Sequence, residues 1–339
     1  MPRAASGPLS ITYVKFTYQL VQYGDCIGPS SRPQCIQPIE SRAMRSDIET
    51  TLMKSCLPPD PHPVQPTQRL PAGACDAHCH VFGPAEIFPY APDRSYTPPD
   101  APFERLVALH DFLGASRGVI VQASCHGTDN TAMLDAIARG NGRYRGVAIV
   151  DGDVTDEQLA DLDARGVRGV RFNFVAHLGG APDLDVFDRV LERIERLGWH
   201  VVLHLDAQDI LQYAERIARI KVPFVIDHMG RVRADAGVDQ QPFRQLLELM
   251  RNPLAWVKVC GAERVSVGRR PFDDAIPFAR TLIEAAPDRV LWGTDWPHPN
   301  ISKDMPNDGE LVDLLFRVCP NAALREQLLV INPARLYGF

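Results

Sequence analysis

The 339-residue sequence has no apolar run near the roughly 20 residues that a membrane-spanning helix needs, so no membrane partner is expected. It has no basic excess: a net charge of -6 leaves no footprint for nucleic acid or an anionic lipid surface. Residues 1–25 lack a continuous apolar core behind a basic start, so no secretory signal is expected. Eight cysteines stand at 26, 35, 56, 75, 79, 125, 260 and 319, but none forms a Cys-x-x-Cys pair or another zinc-knuckle spacing. Scattered thiols without a pairing pattern suit a cytoplasmic protein with reduced cysteines. Cys79, Cys125 and Cys260 sit in or beside apolar runs and are expected to act as small buried residues. Lysine is scarce beside arginine, and several arginines follow apolar runs, where a planar guanidinium can hold an anion through two parallel bonds.

Periodicity is missing from residues 1–70, which carry Pro29, Pro33, Pro38, Pro58, Pro59, Pro61, Pro63 and Pro66. This stretch reads as an irregular, flexible extension without chemistry. Ile11 to Tyr23 could form a strand, but nothing follows to pair with it. Met44 and Met53 are alternative starts.

From residue 71 onward the composition is that of an ordinary globular domain, the whole chain being 45% hydrophobic and 23% charged. Short runs rich in Val, Ile and Leu alternate with amphipathic stretches, the pattern of successive βα units around a parallel sheet. The runs are Ala74–His80, Gly118–Ser124, Gly146–Asp151, Gly169–Phe174, His200–Leu205, Phe224–Met229, Trp256–Gly261 and Val290–Asp295. Apolar spacing predicts helices over Phe103–Gly114, Asn130–Arg139 (capped by Asp129), Asp183–Gly198, Gln208–Ile220, Pro242–Met250, Phe272–Ala286 and Glu310–Val318. Eight strands with intervening helices over 71–339 predict an α/β fold, a single (β/α)8 TIM barrel. An open doubly wound sheet would bring a glycine-rich phosphate loop after its first strand. Here that strand ends in His-Cys-His-Val-Phe-Gly.

The chain is organised around Cys75-Asp76-Ala77-His78-Cys79-His80. Side chains two apart on a strand share a face, so His78 and His80 can chelate one metal ion or line a polar pocket without one. In such barrels the reactive groups occupy the C-terminal strand ends. Of the ten histidines, His78, His80, His126, His177, His204, His228 and His298 fall there, and only His62, His110 and His200 do not. Strand ends also supply Ser124, Asp151, Arg171, Asn173, Asp206, Arg231, Lys258, Arg264 and Asp295. Alternation predicts that, of adjacent Asp227 and His228, only His228 enters the barrel while Asp227 supports it from outside. Lys258 is expected as an internal ion-pair partner. His126 and His298 stand in the right place without an assigned proton or ligand. His298 is counted with the substrate-facing candidates.

The segments DAHCHVFGP (76–84), VIVQASCHGTDN (119–130), RGVRFNF (168–174), VIDHMGR (225–231) and WGTDWPHPN (292–300) together resemble the amidohydrolase superfamily. Within it, they are most similar to the branch of 2-pyrone-4,6-dicarboxylate lactonases. The resemblance covers residues 71–339. It implies that His78, His80, His228 and Asp295 form the core of the site, with Asp295 as the base for water. It also implies that Tyr96, Ser124, Arg171, Arg231 and Arg264 hold substrate carboxylates or polarise the lactone carbonyl. Two positions depart: His204 stands for a tyrosine at the end of the fifth strand, and His177 for an arginine after the fourth. His204 either completes a metal set with His78, His80 and Asp295 or hydrogen-bonds substrate in the tyrosine's place. Such a set suits one divalent ion, zinc first, with manganese or cobalt compatible. Loss of the arginine at 177 removes an anion clamp and allows a different acidic arrangement on the substrate.

The expected activity is hydrolysis of a small acidic lactone in aromatic-compound catabolism. The substrate would be 2-pyrone-4,6-dicarboxylate or a related carboxylated or sulfonated muconolactone. Asp295 would activate water, while His228 and an arginine stabilise the developing charge. A metal-dependent decarboxylase of an unsaturated acid and a sugar-acid lactonase are the alternatives, and a non-catalytic binding protein is a third. The expected state is a monomer or small homo-oligomer with no nucleic-acid partner.

Overall fold

The computed structural model of the chain describes residues 54–339. Most of the proline-rich extension, with Ile11–Tyr23, Met44 and Met53, lies outside the described residues. The described strands are β1 (Lys54–Ser55), β2 (Cys75–Cys79), β3 (Tyr96–Thr97), β4 (Arg117–Val121), β5 (Tyr144–Ala148), β6 (Val167–Asn173), β7 (His200–His204), β8 (Phe224–Ile226), β9 (Ala255–Lys258) and β10 (Val290–Leu291). The helices are α1 (Phe103–Leu113), α2 (Thr131–Arg139), α3 (Asp156–Ala164), α4 (Leu184–Glu195), α5 (Ala207–Ala218), α6 (Gln241–Leu249), α7 (Ala262–Val265), α8 (Ile276–Ala285), α9 (Asp308–Val318), α10 (Ala322–Glu326) and α11 (Asn332–Tyr337). Among the described residues no helix is long and apolar enough to cross a membrane.

Eight parallel strands follow one another in the order β2-β4-β5-β6-β7-β8-β9-β10. The seam between β2 and β10 is closed by main-chain bonds that run past the end of β10. Ala77 N donates to Trp292 O (2.9 Å), Asp295 N to His78 O (2.8 Å) and His80 N to Trp296 O (2.8 Å). The result is the (β/α)8 barrel that the alternating runs predict. Cys75, Ala77, Val119, Val121, Val147, Val202, Val225, Trp256 and Leu291 pack together inside it, and Tyr337 of α11 joins them. The outward-facing strand residues pack with the helices in a second, larger cluster. Burial on both faces is why the strands read as near-continuous apolar runs.

Seven helices follow the expected apolar stripes, whereas α3, α7, α10 and α11 have no counterpart among them. α4 buries Phe187, Val190 and Ile194, and Asp183 caps it by accepting from the backbone N of Asp185 and Val186. The apolar spacing does not announce α3, because it buries only Leu159. A reciprocal cap holds its start: Thr155 Oγ1 accepts from Gln158 N (3.2 Å), and Gln158 Oε1 accepts from Thr155 N (2.8 Å).

Several strands stop earlier than their apolar runs. β8 ends at Ile226, and Asp227–Arg231 form a tight turn whose backbone is left-handed at His228 (φ 51°) and Met229 (φ 53°). β10 ends at Leu291, leaving Trp292–Asp295 as loop. On the outer side, β1 pairs in parallel with β3, Lys54 opposite Tyr96. Residues 60–67 lie along the loop between β10 and α9 and along α9 itself: Asn307 Oδ1 accepts from Val64 N at 2.9 Å and Asp313 Oδ1 from Thr67 N at 2.7 Å.

Candidate active site

His78 and His80 reach the same point as predicted from their spacing, with ring centroids 5.0 Å apart. That point is one oxygen of Asp295. Asp295 Oδ1 lies 3.5 Å from His78 Nε2, 3.2 Å from His80 Nε2 and 4.0 Å from His228 Nε2. The other oxygen, Oδ2, accepts from Arg264 Nε (2.8 Å) and Nη2 (2.5 Å). The three histidines and Asp295 are buried, Asp295 being 1% exposed, and the Arg264 side chain is 7% exposed. Burial alone would raise the Asp295 pKa, but the Arg264 charge, with smaller help from His228 and His80, holds the carboxyl well below its ordinary range. It is therefore an anion throughout the neutral range.

The imidazoles of His228, His204 and His78 are neutral. Burial pushes His228 and His204 well below the usual histidine range. His78 is pushed down to about 4, by burial first and then by the Lys258 ammonium. Beneath His78 lies a dry ionic cluster. Asp227 Oδ1 is 3.1 Å from Lys258 Nζ and 3.3 Å from His78 Nδ1, and Lys258 Nζ is 2.9 Å from that same Nδ1. Arg171 closes the cluster on Asp227 Oδ2, Nε at 3.2 Å and Nη2 at 3.1 Å.

This arrangement corrects the expectation that only one of Asp227 and His228 faces the barrel. Both do. Alternation applies to an extended strand, and the strand has already ended at Ile226. The positive φ of His228 turns its ring toward Asp295 while Asp227 reaches Lys258. Positive φ values also occur at Arg231 (49°), Asp295 (63°) and His298 (60°). Strained backbone of this kind, costing about 1–3 kcal/mol per residue, collects where side chains must be aimed.

The remaining candidates spread around this centre. His204 Nδ1 donates to Asn173 Oδ1 (3.0 Å), and its ring lies 5.5 Å from that of His228. His177 is exposed, its ring edge-on to His204 at 6.2 Å. Arg231 Nε donates to Asp206 Oδ1 at 2.6 Å, while its Nη1 is buried with no hydrogen-bond partner. Tyr96 is buried and its hydroxyl accepts from Ser124 Oγ at 3.4 Å. His298 is fully buried with Nε2 3.1 Å from Asp308 Oδ1, an arrangement that turns it toward α9. His126 accepts from Gly83 N and donates to Pro89 O.

Two participants escape sequence reasoning. Glu263 lies beside Arg264 (3.3 Å to Nε), and burial raises its pKa. Cys260 Sγ lies 3.4 Å from His228 Nδ1, and its thiol is kept protonated by burial. Neither belongs to a spacing motif. Their position, Cys260 near the end of the seventh run and Glu263 just after it, was the available signal.

An eight-stranded parallel barrel whose strand ends gather histidines around one ionised aspartate defines a barrel hydrolase. The chain belongs to the amidohydrolase family, whose family model matches residues 75–339. It is 47% identical over 285 residues to a 2-pyrone-4,6-dicarboxylate hydrolase of Comamonas testosteroni, covering 81% of this chain and 93% of that protein. It is 45% identical to a 4-sulfomuconolactone hydrolase of Hydrogenophaga intermedia, covering 86% of this chain and 98% of the relative. Among solved structures, a candidate 2-pyrone-4,6-dicarboxylic acid hydrolase from Pseudomonas putida superposes with a TM-score of 0.70 at 35% identity, covering 79% of this chain and 98% of that one.

Proposed function

We propose that this protein is a lactone hydrolase of aromatic-compound catabolism. Its substrate is 2-pyrone-4,6-dicarboxylate or a related carboxylated or sulfonated muconolactone, and Asp295 activates the attacking water. The observation that carries this reading is the division of labour on Asp295. Arg264 occupies Oδ2, and Oδ1 faces three imidazoles at 3.2 to 4.0 Å. The names of relatives at 45% and 47% identity supply the substrate class.

Asp295 Oδ1 accepts a proton from water, and the oxygen of that water attacks the ring carbonyl. The ring C–O bond then breaks, and the departing oxygen takes the proton back from Asp295. An acid so strongly held ionised is a weak base. A substrate carboxylate that shares the Arg264 guanidinium loosens its hold on Asp295 and raises the basicity of Oδ1 when substrate is present. The Cys260 thiol facing His228 Nδ1 places the imidazole proton on Nε2, where it donates to the carbonyl oxygen as charge develops. Arg171, Arg231 and Arg264 orient the acidic groups, and Tyr96 and Ser124 add neutral hydrogen bonds. His177 stands at the rim of this anion site.

By ligand type the donor set suits a divalent ion. His80 donates from Nδ1 to Val121 O (2.8 Å) and His204 from Nδ1 to Asn173 Oδ1 (3.0 Å), so each presents an Nε2 lone pair. The Nε2 atoms of His78 and His204 are buried without hydrogen-bond partners. In the ligand set we propose, His78, His80, His204 and Asp295 hold one ion, zinc by ligand type. Among the described residues the ligand atoms of His78, His228 and Asp295 lie within 4.8 Å of one another, and neither His80 nor His204 belongs to such a group. A bound ion supplies Lewis acidity and makes a neighbouring water easier to deprotonate.

The test offers purified protein 2-pyrone-4,6-dicarboxylate and 4-sulfomuconolactone, and follows acid and carbon dioxide release. The reading expects one new acid group per lactone and no carbon dioxide. Carbon dioxide evolution would turn it into a decarboxylase. Elemental analysis before and after chelation decides the metal: about one ion per chain, lost with activity and restored with it, is expected.

A further inference from the structure

The two halves of the catalytic centre come from opposite sides of the barrel seam. His78 and His80 belong to β2 and the residue after it, and Asp295 follows β10. No regular ladder joins these edges. They are held by the three main-chain bonds described above, by the contacts of His78 and His80 with Asp295 and by a second side-chain link through Asp76.

A strict alternation would place Asp76 on the same face as His78 and His80. A register shift between Asp76 and Cys79 instead turns it toward α1. There its fully buried carboxylate accepts four hydrogen bonds from three elements. Oδ1 accepts from the backbone N of His78 (3.0 Å) and of Thr294 (3.0 Å). Oδ2 accepts from Thr294 Oγ1 (2.6 Å) and from His110 Nε2 of α1 (3.1 Å). Thr294 Oγ1 in turn accepts from Trp296 N at 3.0 Å, so one hydroxyl fastens both flanks of Asp295. Gly293 allows this approach: a Cβ there would stand 2.5 Å from His78 N and 2.7 Å from Asp76 Oδ1.

We infer that Asp76 and Thr294 form a clamp across the barrel seam that sets the distance between the His78–His80 pair and Asp295, making both of them positioning residues for the ring-opening reaction. Neither touches the site that binds substrate, so the clamp acts on the rate of the chemical step and not on affinity. The inference rests on the lactone-hydrolase reading above. Reaction rates are steep in such distances; a displacement of about 1 Å costs on the order of 10²-fold.

The decisive comparison is Thr294→Val against Thr294→Ser. Valine keeps the shape and removes both bonds of the hydroxyl; serine restores them. The clamp predicts that Thr294→Val lowers kcat by at least ~30-fold per folded molecule with KM within about threefold, whereas Thr294→Ser stays within about threefold of wild type. Asp76→Asn, which turns an acceptor toward Thr294 into a donor, should repeat the Thr294→Val pattern and serves where valine prevents folding. Normal kcat in folded Thr294→Val, or a serine variant as impaired as valine, overturns the clamp. Failure of both Thr294→Val and Asp76→Asn to fold also overturns it, in favour of a purely structural role. A wild-type protein that opens neither lactone refutes the reaction itself. An active wild type with unimpaired variants refutes only the clamp.

Discussion

Replacing Asp295 by asparagine keeps the volume of the side chain and removes its charge and its basicity. Loss of a positioned base typically costs ~10²–10⁴-fold in rate, or about 2.7–5.4 kcal/mol of barrier at about 1.36 kcal/mol per decade. The same substitution strands Arg264. The pair is dry, with side chains 7% and 1% exposed, so solvent screening does not soften the loss. Removing one partner of such a pair costs ~3–5 kcal/mol of stability. Glu263 Oε1, 3.3 Å from Arg264 Nε, offsets part of it by taking over as counter-ion. The assay is therefore run well below the unfolding transition, with denaturant curves confirming that the variant is folded. Expected is a kcat lower by at least ~10²-fold with product-like dicarboxylates still bound, because Arg264 is released to hold them more tightly. A folded Asp295→Asn with kcat within about threefold of wild type would refute Asp295 as the base.

Three further outcomes follow from the geometry. Arg231→Met removes the buried, unpartnered Nη1 donor and should raise KM for a dicarboxylate roughly 10- to 150-fold, the worth of ~1.5–3 kcal/mol for a charged hydrogen bond, with kcat little changed; an unchanged KM in steady-state kinetics would remove Arg231 from substrate binding. Asp227→Asn leaves Lys258 and Arg171 facing each other in the dry barrel and should cost ~3–5 kcal/mol in urea unfolding, while adding Lys258→Met should restore part of that stability. If the double variant is less stable than the single, the buried ion pair is not what holds that layer. Burial would lower the His298 pKa, but Asp308 beside it raises it above the ordinary value. A raised histidine pKa contributes stability that is full below about pH 6.5 and is lost as pH rises through the folded value. Asp308→Asn should therefore destabilise the protein more at pH 6 than at pH 9, and the reverse ranking would contradict the pairing.

The barrel was legible because its strands are buried on both faces and its helices on one, so that apolar period alone separates them. α3 was not legible, since it is fixed by the Thr155–Gln158 cap and a single buried leucine. Strand ends were the weak point of the reading: apolar runs continue into Asp227–Arg231 and Trp292–Asp295, where the backbone leaves the extended state to aim side chains. That is why His78, His80 and Asp295 could be placed in one site from spacing and position, whereas Asp227 was assigned to the wrong side. The arginines at strand ends were visible in the sequence. Their carboxylate partners Asp295, Asp206 and Asp227 were not paired with them, because those pairings cross from strand to strand. Asp76 was hidden for a related reason: the register shift in β2 breaks the two-residue alternation that sequence reasoning relies on.

The most direct test of water attack at the lactone carbonyl is a single turnover in ¹⁸O-water with mass analysis of the product. Hydrolysis driven by Asp295 predicts one ¹⁸O in the newly formed carboxyl group and none in the departing enol or alcohol oxygen. Product with no label, or with the label on the departing oxygen, would contradict it.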